Sequence, residues 1–332
     1  MKNKTYSDAI REALWEEMER DENVYLIGED IGLGGGAFYI TKGFQERFGD
    51  LRVVDTPLSE AGFTGSAIGS SLAGLRPVVE FQFADFVTES FKMIVDFAAG
   101  NFFRKMGEVP IVFRLPAGAL TSAGPFHSQN PEIWFFGTPG IKIVAPSNSY
   151  DAKGLMKSAI RDNNPVIFIE YKKFYNYPIS DLPTPLRIEI PEEDYEVPIG
   201  KARILVEGED LSLITFGTTV LQALQAAKQI SQEGASVEVI DLRTIIPFDK
   251  ETIINSVKKT GKILFLHEAR KQGGISGELS SLITEEAFEY LDAPPVRIGA
   301  INTPVPLSPP LEKAYLPNTQ DILIALRDLL EY

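Results

Sequence analysis

Residues 55–65 read Asp-Thr-Pro-Leu-Ser-Glu-Ala-Gly-Phe-Thr-Gly, a strand end, a punctuated turn and a helix start in succession. The run 52–55 is short and β-branched, Pro57 and Ser59 interrupt it, and Glu60 heads a glycine- and alanine-rich stretch reaching residue 73. That puts a carboxylate beyond the carboxyl end of a strand, where open α/β sheets build their sites. A first-turn glutamate also complements a helix dipole, so a capping role accounts for it equally well at this point. Gly62, Gly65, Gly69 and Gly74 let a helix approach its neighbours closely, which predicts that this one is buried.

Outward from this segment the same unit recurs. Strand-like runs fall at 24–27, 52–55, 77–83, 110–115, 141–146 and 166–170, with helix-like stretches at 60–73, 86–104 and 149–161. Thr5-Tyr-Ser-Asp8 has the form of a capping box ahead of apolar Ile10, Ala13, Leu14 and Met18 at helical spacing. Short apolar runs alternating with helices predict an α/β fold with a doubly wound parallel sheet. Residues 171–200 break the rhythm with five prolines and an acidic cluster between Glu189 and Glu196. The alternation then restarts (211–216, 218–232, 237–242, 250–259, 263–266, 278–291, 296–301, 319–330) as a second, smaller α/β domain. The domains read as 1–175, a proline-rich linker over 176–199, and 200–332.

Composition narrows the function. The chain has 332 residues, with 44% hydrophobic and 23% charged, enough to bury a large core. Its net charge of −14 repels phosphate backbones and anionic lipid, so neither nucleic acid nor membrane is expected as a partner. With no cysteine and only two histidines, thiol nucleophiles, disulfides and histidine-rich metal cages are excluded. The charged N-terminal stretch does not read as a signal peptide, no apolar run approaches a membrane span, and a cytoplasmic protein is the expectation.

Gly32-Leu-Gly34-Gly-Gly-Ala37 formally fits a dinucleotide turn, but Phe38-Tyr-Ile-Thr is a poor helix start, and a glycine loop without phosphate accounts for it too. Phe81-Gln82-Phe83-Ala-Asp85-Phe86 closes another strand with aromatics suited either to a flat ring or to the core. His127 lies in a glycine-rich loop, Gly124-Pro-Phe-His127-Ser-Gln129, and adjacent Ser128 cannot supply triad geometry. His267-Glu268 ends a strand of the second domain and reads as structural.

Taken in order, Gly28-Glu-Asp-Ile31, Thr56-Pro-Leu-Ser-Glu60, Gly74-Leu-Arg-Pro77, Phe126-His-Ser-Gln129, Asp151-Ala-Lys-Gly-Leu155, Glu238-Val-Ile-Asp-Leu-Arg-Thr244 and His267-Glu-Ala269 resemble one family. It is the β subunit of the thiamine-diphosphate-dependent first component of 2-oxo acid dehydrogenase complexes. The resemblance implies a pyrimidine-type thiamine-diphosphate-binding domain followed by a transketolase C-terminal-like domain, and it displaces the dinucleotide reading. It implies that Glu60 hydrogen-bonds N1′ of the cofactor aminopyrimidine, that Phe86 packs on that ring, and that Gln82 and the Leu58 backbone line its pocket. An apolar setting at the helix start would raise the Glu60 carboxyl by desolvation. His127 falls on the substrate side, orienting the 2-oxo acid and assisting acyl transfer to a lipoyl group. Ile111, Ala159, Ile160, Asp162 and Asn164 match a potassium site; a plain helix cap is the other account of them.

The same resemblance implies an α subunit that holds the diphosphate through Mg²⁺, an α2β2 heterotetramer, and a dihydrolipoyl acyltransferase core. Departures from the family pattern are Gly137, where a histidine is common two residues before the Pro-Gly pair, the loop 118–126, and a helix expected over 100–106. Pyruvate and branched-chain 2-oxo acids both stay open as substrates. A transketolase-type transferase and a non-catalytic scaffold are the rival classes.

Overall fold

In the computed structural model, which describes residues 4–119 and 122–332, the first helix (Tyr6–Arg20) starts at Thr5, whose hydroxyl accepts from the Asp8 amide at 3.1 Å. Its buried stripe of Tyr6, Ala9, Ile10, Ala13 and Leu14 has the spacing of one helical face, and it lies against the helix Ser149–Arg161. Beyond it run the strands β1 (Val24–Gly28), β2 (Val53–Asp55), β3 (Arg76–Glu80), β4 (Val112–Ala117), β5 (Lys142–Val144) and β6 (Val166–Tyr171). The second half adds β7 (Arg203–Val206), β8 (Leu211–Thr215), β9 (Val237–Asp241), β10 (Thr244–Ile246), β11 (Ile263–Arg270) and β12 (Val296–Ala300).

Two sheets result, ordered β10-β5-β6-β4-β3-β1-β2 and β12-β11-β8-β9-β7. Six neighbouring strands of the first are parallel, and β3 and β2 flank β1 on opposite sides, so the winding reverses at β1. The crevice beyond the carboxyl ends of β1, β2 and β3 is therefore the switch point of a doubly wound sheet. One continuous apolar core runs through both sheets.

Two strands were not legible as strands. β7 is a half-exposed edge antiparallel to β9. β10, only three residues long, leaves the second half of the chain to pair antiparallel with β5 in the first sheet. Three helical expectations are also corrected. Residues 86–104 are not one helix: a 3₁₀ stretch over Ala84–Ser90 gives way to a π-helix over Met93–Ala99. There Thr88 Oγ1 donates to the Asp85 carbonyl and Ser90 bonds Thr64, so hydroxyls compete for the regular ladder. Residues 100–106 form successive turns rather than a helix, with Lys105 in the left-handed region at φ 60° and Phe102 and Phe103 exposed. On the helix Glu60–Leu72, Phe63, Thr64, Ala67, Ile68 and Ser71 face the core, whereas Gly62 and Gly69 face outward. A Cβ at Gly69 would meet nothing within 4 Å, so the glycine face is not buried within this chain.

The two halves meet where the carboxyl ends of their sheets converge. Tyr171, fully buried at the end of β6, lies between Gly118 (φ 89°) and Gly217 (φ 58°), whose added Cβ atoms would fall 2.9 and 2.1 Å from its ring. Left-handed backbone and the lack of room both demand glycine at these two positions.

Beneath the crevice, Arg114 is 1% exposed and donates to both oxygens of Glu170, Nε to Oε1 at 2.6 Å and Nη2 to Oε2 at 2.9 Å; it also pairs with Glu80. Tyr175 donates its hydroxyl to Glu170 Oε2 at 2.6 Å. One guanidinium thus ties β3, β4 and β6 together. Replacing it strands two buried carboxylates, a loss of about 3–5 kcal/mol for a broken buried pair. Arg114→Met is expected to lower the unfolding free energy by that margin, read as a lower denaturant midpoint; an unchanged midpoint would show that the network contributes nothing net.

Candidate active site

Each strand that ends at the crevice is followed by side chains that line it. β1 is followed by Glu29, buried, and Asp30, held at φ 58°. After β2 the Pro57-Leu58-Ser59 turn starts the next helix, so half-buried Glu60 stands in its first turn. Burial raises the Glu29 carboxyl above the usual range and the nearby Glu60 charge adds to the rise, while a Ser59 backbone hydrogen bond opposes it. Glu29 Oε1 is buried without a partner among the described residues. Glu60 is only half withdrawn from solvent, whereas Glu29 is buried.

β3 leads into Gln82, whose Nε2 donates to Asp30 Oδ2 at 2.9 Å, and into Phe83 and Phe86. The ring of His127, reached from the end of β4, stands edge-on to Phe83 at 4.6 Å and to Phe86 at 5.4 Å between centroids. Gln82, Phe86 and His127 are thus brought together with Phe83, to which the sequence alone assigns no role. Leu58 is 80% exposed, so its backbone borders an open crevice rather than an enclosed pocket. A cavity of about 730 Å³ between residues 177–187 and the helix Thr219–Gln232 touches none of these groups.

Of the five residues matched to potassium, Ile160 and Asp162 meet cationic side chains of the chain itself. Arg76 Nη1 donates to the carbonyls of Ile160 (3.0 Å) and Asp162 (3.2 Å), and Asp162 pairs with Lys142. Asp162 Oδ1 accepts the Asn164 amide at 2.8 Å, and the Ile111 carbonyl accepts Val166 N at 2.9 Å. Ala159, on the last turn of its helix, is buried beside them. A further cation at Ile160 and Asp162 would share them with a guanidinium and an ammonium. Among the described residues no group of three or more His, Cys, Asp or Glu could hold a metal ion.

His267 is structural: its ring nitrogens lie 3.0 Å from the Ala269 carbonyl and 2.8 Å from Ser276 Oγ, and burial pushes its pKa down to about 4. Gly137 has open space around it, so no packing demand explains glycine there.

The comparisons agree with this architecture. Residues 2–178 match the transketolase pyrimidine-binding domain and residues 200–322 the transketolase C-terminal domain. A solved structure described as a split-gene transketolase, an inactive β4 tetramer, superposes with a TM-score of 0.79 over 99% of both chains at 19% identity, which is a likeness of fold. The class is therefore a transketolase-fold chain that carries the pyrimidine-binding half. The chain belongs, more particularly, to the β subunits of the first component of 2-oxo acid dehydrogenase complexes. It is 43% identical to the 2-oxoisovalerate dehydrogenase subunit beta of Bacillus subtilis, over 99% of each chain. It is likewise 43% identical to the pyruvate dehydrogenase E1 component subunit beta of the same organism over 100% of each, and 42% identical to the mitochondrial pyruvate dehydrogenase counterpart of Dictyostelium discoideum over 98% of this chain and 91% of that one.

Close to the His127 loop, Glu132 is fully buried with both carboxyl oxygens unpartnered among the described residues, and burial pushes it up to about 8, with Glu268 adding to the rise. A carboxyl raised in the folded state adds stability that is whole below the ordinary carboxylate pKa and is lost as pH rises towards about 8. Glu132→Gln keeps the shape and cannot ionise. Its unfolding free energy, relative to the parent, is expected to improve steadily between pH 5 and pH 8, by roughly 1.4 kcal/mol for each unit of pKa shift removed. Parallel pH profiles of the two urea midpoints would contradict this.

Proposed function

We propose that this chain is the pyrimidine-holding partner of an enzyme that oxidatively decarboxylates a 2-oxo acid, pyruvate or a branched-chain one, and passes the acyl group to lipoyl groups of an acyltransferase core. The observation that carries the reading is half-buried Glu60 in the first turn of a helix at the switch point, its charge acting on buried Glu29, whose Oε1 is orphaned. An orphaned carboxyl oxygen and a second carboxylate suit an amino-bearing heterocycle, and the relatives support thiamine diphosphate as that ligand. Bound there, this cofactor supplies the carbon nucleophile and electron sink that the protein's own side chains lack.

Glu60 then holds a proton at the ring nitrogen N1′, with Glu29 keeping the neighbouring charge low. Phe86 offers a ring face or edge to the heterocycle, and Gln82, fixed by Asp30, borders it with the Leu58 backbone. His127, braced by Phe83 and Phe86, stands on the substrate side and orients the 2-oxo acid. In this reading the units are 1–175, the linker 176–199 and 200–332, although β10 shows the second unit lending a strand to the first sheet.

A partner accords with the chain's net charge of −14, which repels a diphosphate, and with the relatives' being beta subunits. The outward glycine face of the helix Glu60–Leu72 and the exposed Phe102 and Phe103 suit the α subunit of an α2β2 heterotetramer. A cytoplasmic setting accords with the bacterial relatives; no helix among the described residues is long and apolar enough to cross a membrane.

Three outcomes are expected. With a co-expressed α subunit, Glu60→Ala folds normally and loses dye-linked decarboxylation of the 2-oxo acid by at least the roughly 10²–10⁴-fold of positioned acid–base catalysis, and unimpaired turnover would sink the assignment. His127→Ala is expected to lower the lipoyl-dependent rate more than dye reduction. Equal loss in both assays would move His127 to the decarboxylation step, and ketose turnover in place of 2-oxo acid turnover would favour a transketolase-type transferase. In calorimetry, the isolated chain is expected to bind thiamine diphosphate weakly, with tight binding restored by the α subunit and Mg²⁺; tight Mg²⁺-dependent binding to the chain alone would contradict the divided site.

A further inference from the structure

The loop that carries His127 is held from the other half of the molecule. Glu268, 3% exposed near the carboxyl end of β11, accepts the Ala119 amide on Oε1 at 2.7 Å, and its Oε2 accepts the hydroxyl of Thr218, just beyond β8. The side-chain amide of Asn130 lies 3.5 Å from the same Oε1. A Cβ at Gly118 would stand 2.9 Å from that oxygen, so the carboxylate is pressed against the loop's first residues. Lys172 Nζ donates to the Gly118 carbonyl at 2.7 Å, and its ammonium lies 5.8 Å from the Phe83 ring on which His127 rests. Burial lowers Lys172 to about 8, while Glu268, Asp85 and Glu312 act in the opposite direction.

At the far end, Gln129 O accepts the Gly118 amide at 3.2 Å and Asp85 Oδ2 accepts the Gln129 amide at 3.3 Å, which closes the loop on itself. Glu312, also from the second half, accepts the Ser122 amide at 3.2 Å. Among the described residues no side-chain hydrogen bond fixes the His127 ring; its position derives from the Phe83 and Phe86 contacts and from where the loop is anchored. The anchors at Ala119 and Ser122 belong to the second half of the chain.

We infer that Glu268 is a positioning residue for His127: the carboxylate reaches across the seam between the two sheets and sets the loop that aims the imidazole at the substrate. This rests on the reading of His127 given above, and it gives the second domain a part in the active site besides any role in assembly. Charge-assisted bonds to backbone N–H groups are among the stronger hydrogen bonds, and a buried acceptor removed from such a donor leaves the amide unpaired.

The test compares the parent, Glu268→Ala and Glu268→Gln, each in the full chain assembled with its α subunit. In Glu268→Ala, amide hydrogen exchange over residues 122–130 is expected to rise at least tenfold, with exchange over β8 and β9 unchanged. The lipoyl-dependent kcat is expected to fall at least tenfold with little change in the 2-oxo acid KM, and Glu268→Gln, which keeps one oxygen acceptor, to recover most of it. Combined with His127→Ala, Glu268→Ala is expected to cost nothing further, because the two act as one unit. Unchanged exchange over 122–130, or fully additive losses in the double variant, would overturn the inference. Faster exchange in Glu268→Ala together with an unimpaired His127→Ala enzyme would leave the clamp standing and remove the role assigned to His127.

Discussion

Arg114 buried between Glu80 and Glu170 is the constraint on which the crevice rests. A guanidinium withdrawn from water is tolerable only when its donors are met by anions, and the fork geometry fixes where those anions stand. Those anions lie on β3 and β6, on either side of the strand that carries Arg114. The three strands therefore leave the sheet in a set relation, and the segments proposed to serve the site follow them: Gln82, Phe83 and Phe86 after β3, the His127 loop after β4, Lys172 after β6. An all-apolar layer of similar volume could be equally stable, but it would not fix register so narrowly.

Around this frame the groups divide by burial. Glu60 is half open and free to meet a ligand; Glu29 behind it is closed off and disfavours a second charge. The aromatic trio supplies flat, apolar walls next to them. Across the seam the second sheet answers with acceptors for backbone amides rather than with reacting groups. The arrangement suits the proposed divided site: Glu60 stays half exposed, while the supports are buried.

Much of this was legible in the residues. The β-branched runs marked β1, β2, β6, β8 and β9, Thr5 announced the first helix, and the Pro57-Leu58-Ser59 turn pointed to Glu60. What was hidden is what depends on distant partners. β10 is three residues whose strand character exists only through pairing with β5, about a hundred residues earlier. Nothing local to Asp162 says that Arg76 and Lys142 will pair with it. The stretch 86–104 has helical composition, but hydroxyl groups within it redirect the backbone. Phe83 and Glu29 went unassigned because each gains its place from the convergence of strands that are separate in sequence. Glu268, part of a strand-end pair that reads as structural, shows its reach only when the two sheets face each other.

The central claim is that Glu60 serves as the proton-holding group of a pyrimidine site completed by another subunit. The most direct measurement is the rate at which the thiazolium C2 hydrogen of bound thiamine diphosphate exchanges for deuterium in the assembled α and β chains, monitored by quenched NMR. Glu60→Gln, with cofactor occupancy verified, should slow that exchange by about 10²–10⁴-fold, the span of one positioned acid–base group. Exchange as fast as in the parent would mean that Glu60 only caps its helix and that the proton is handled elsewhere.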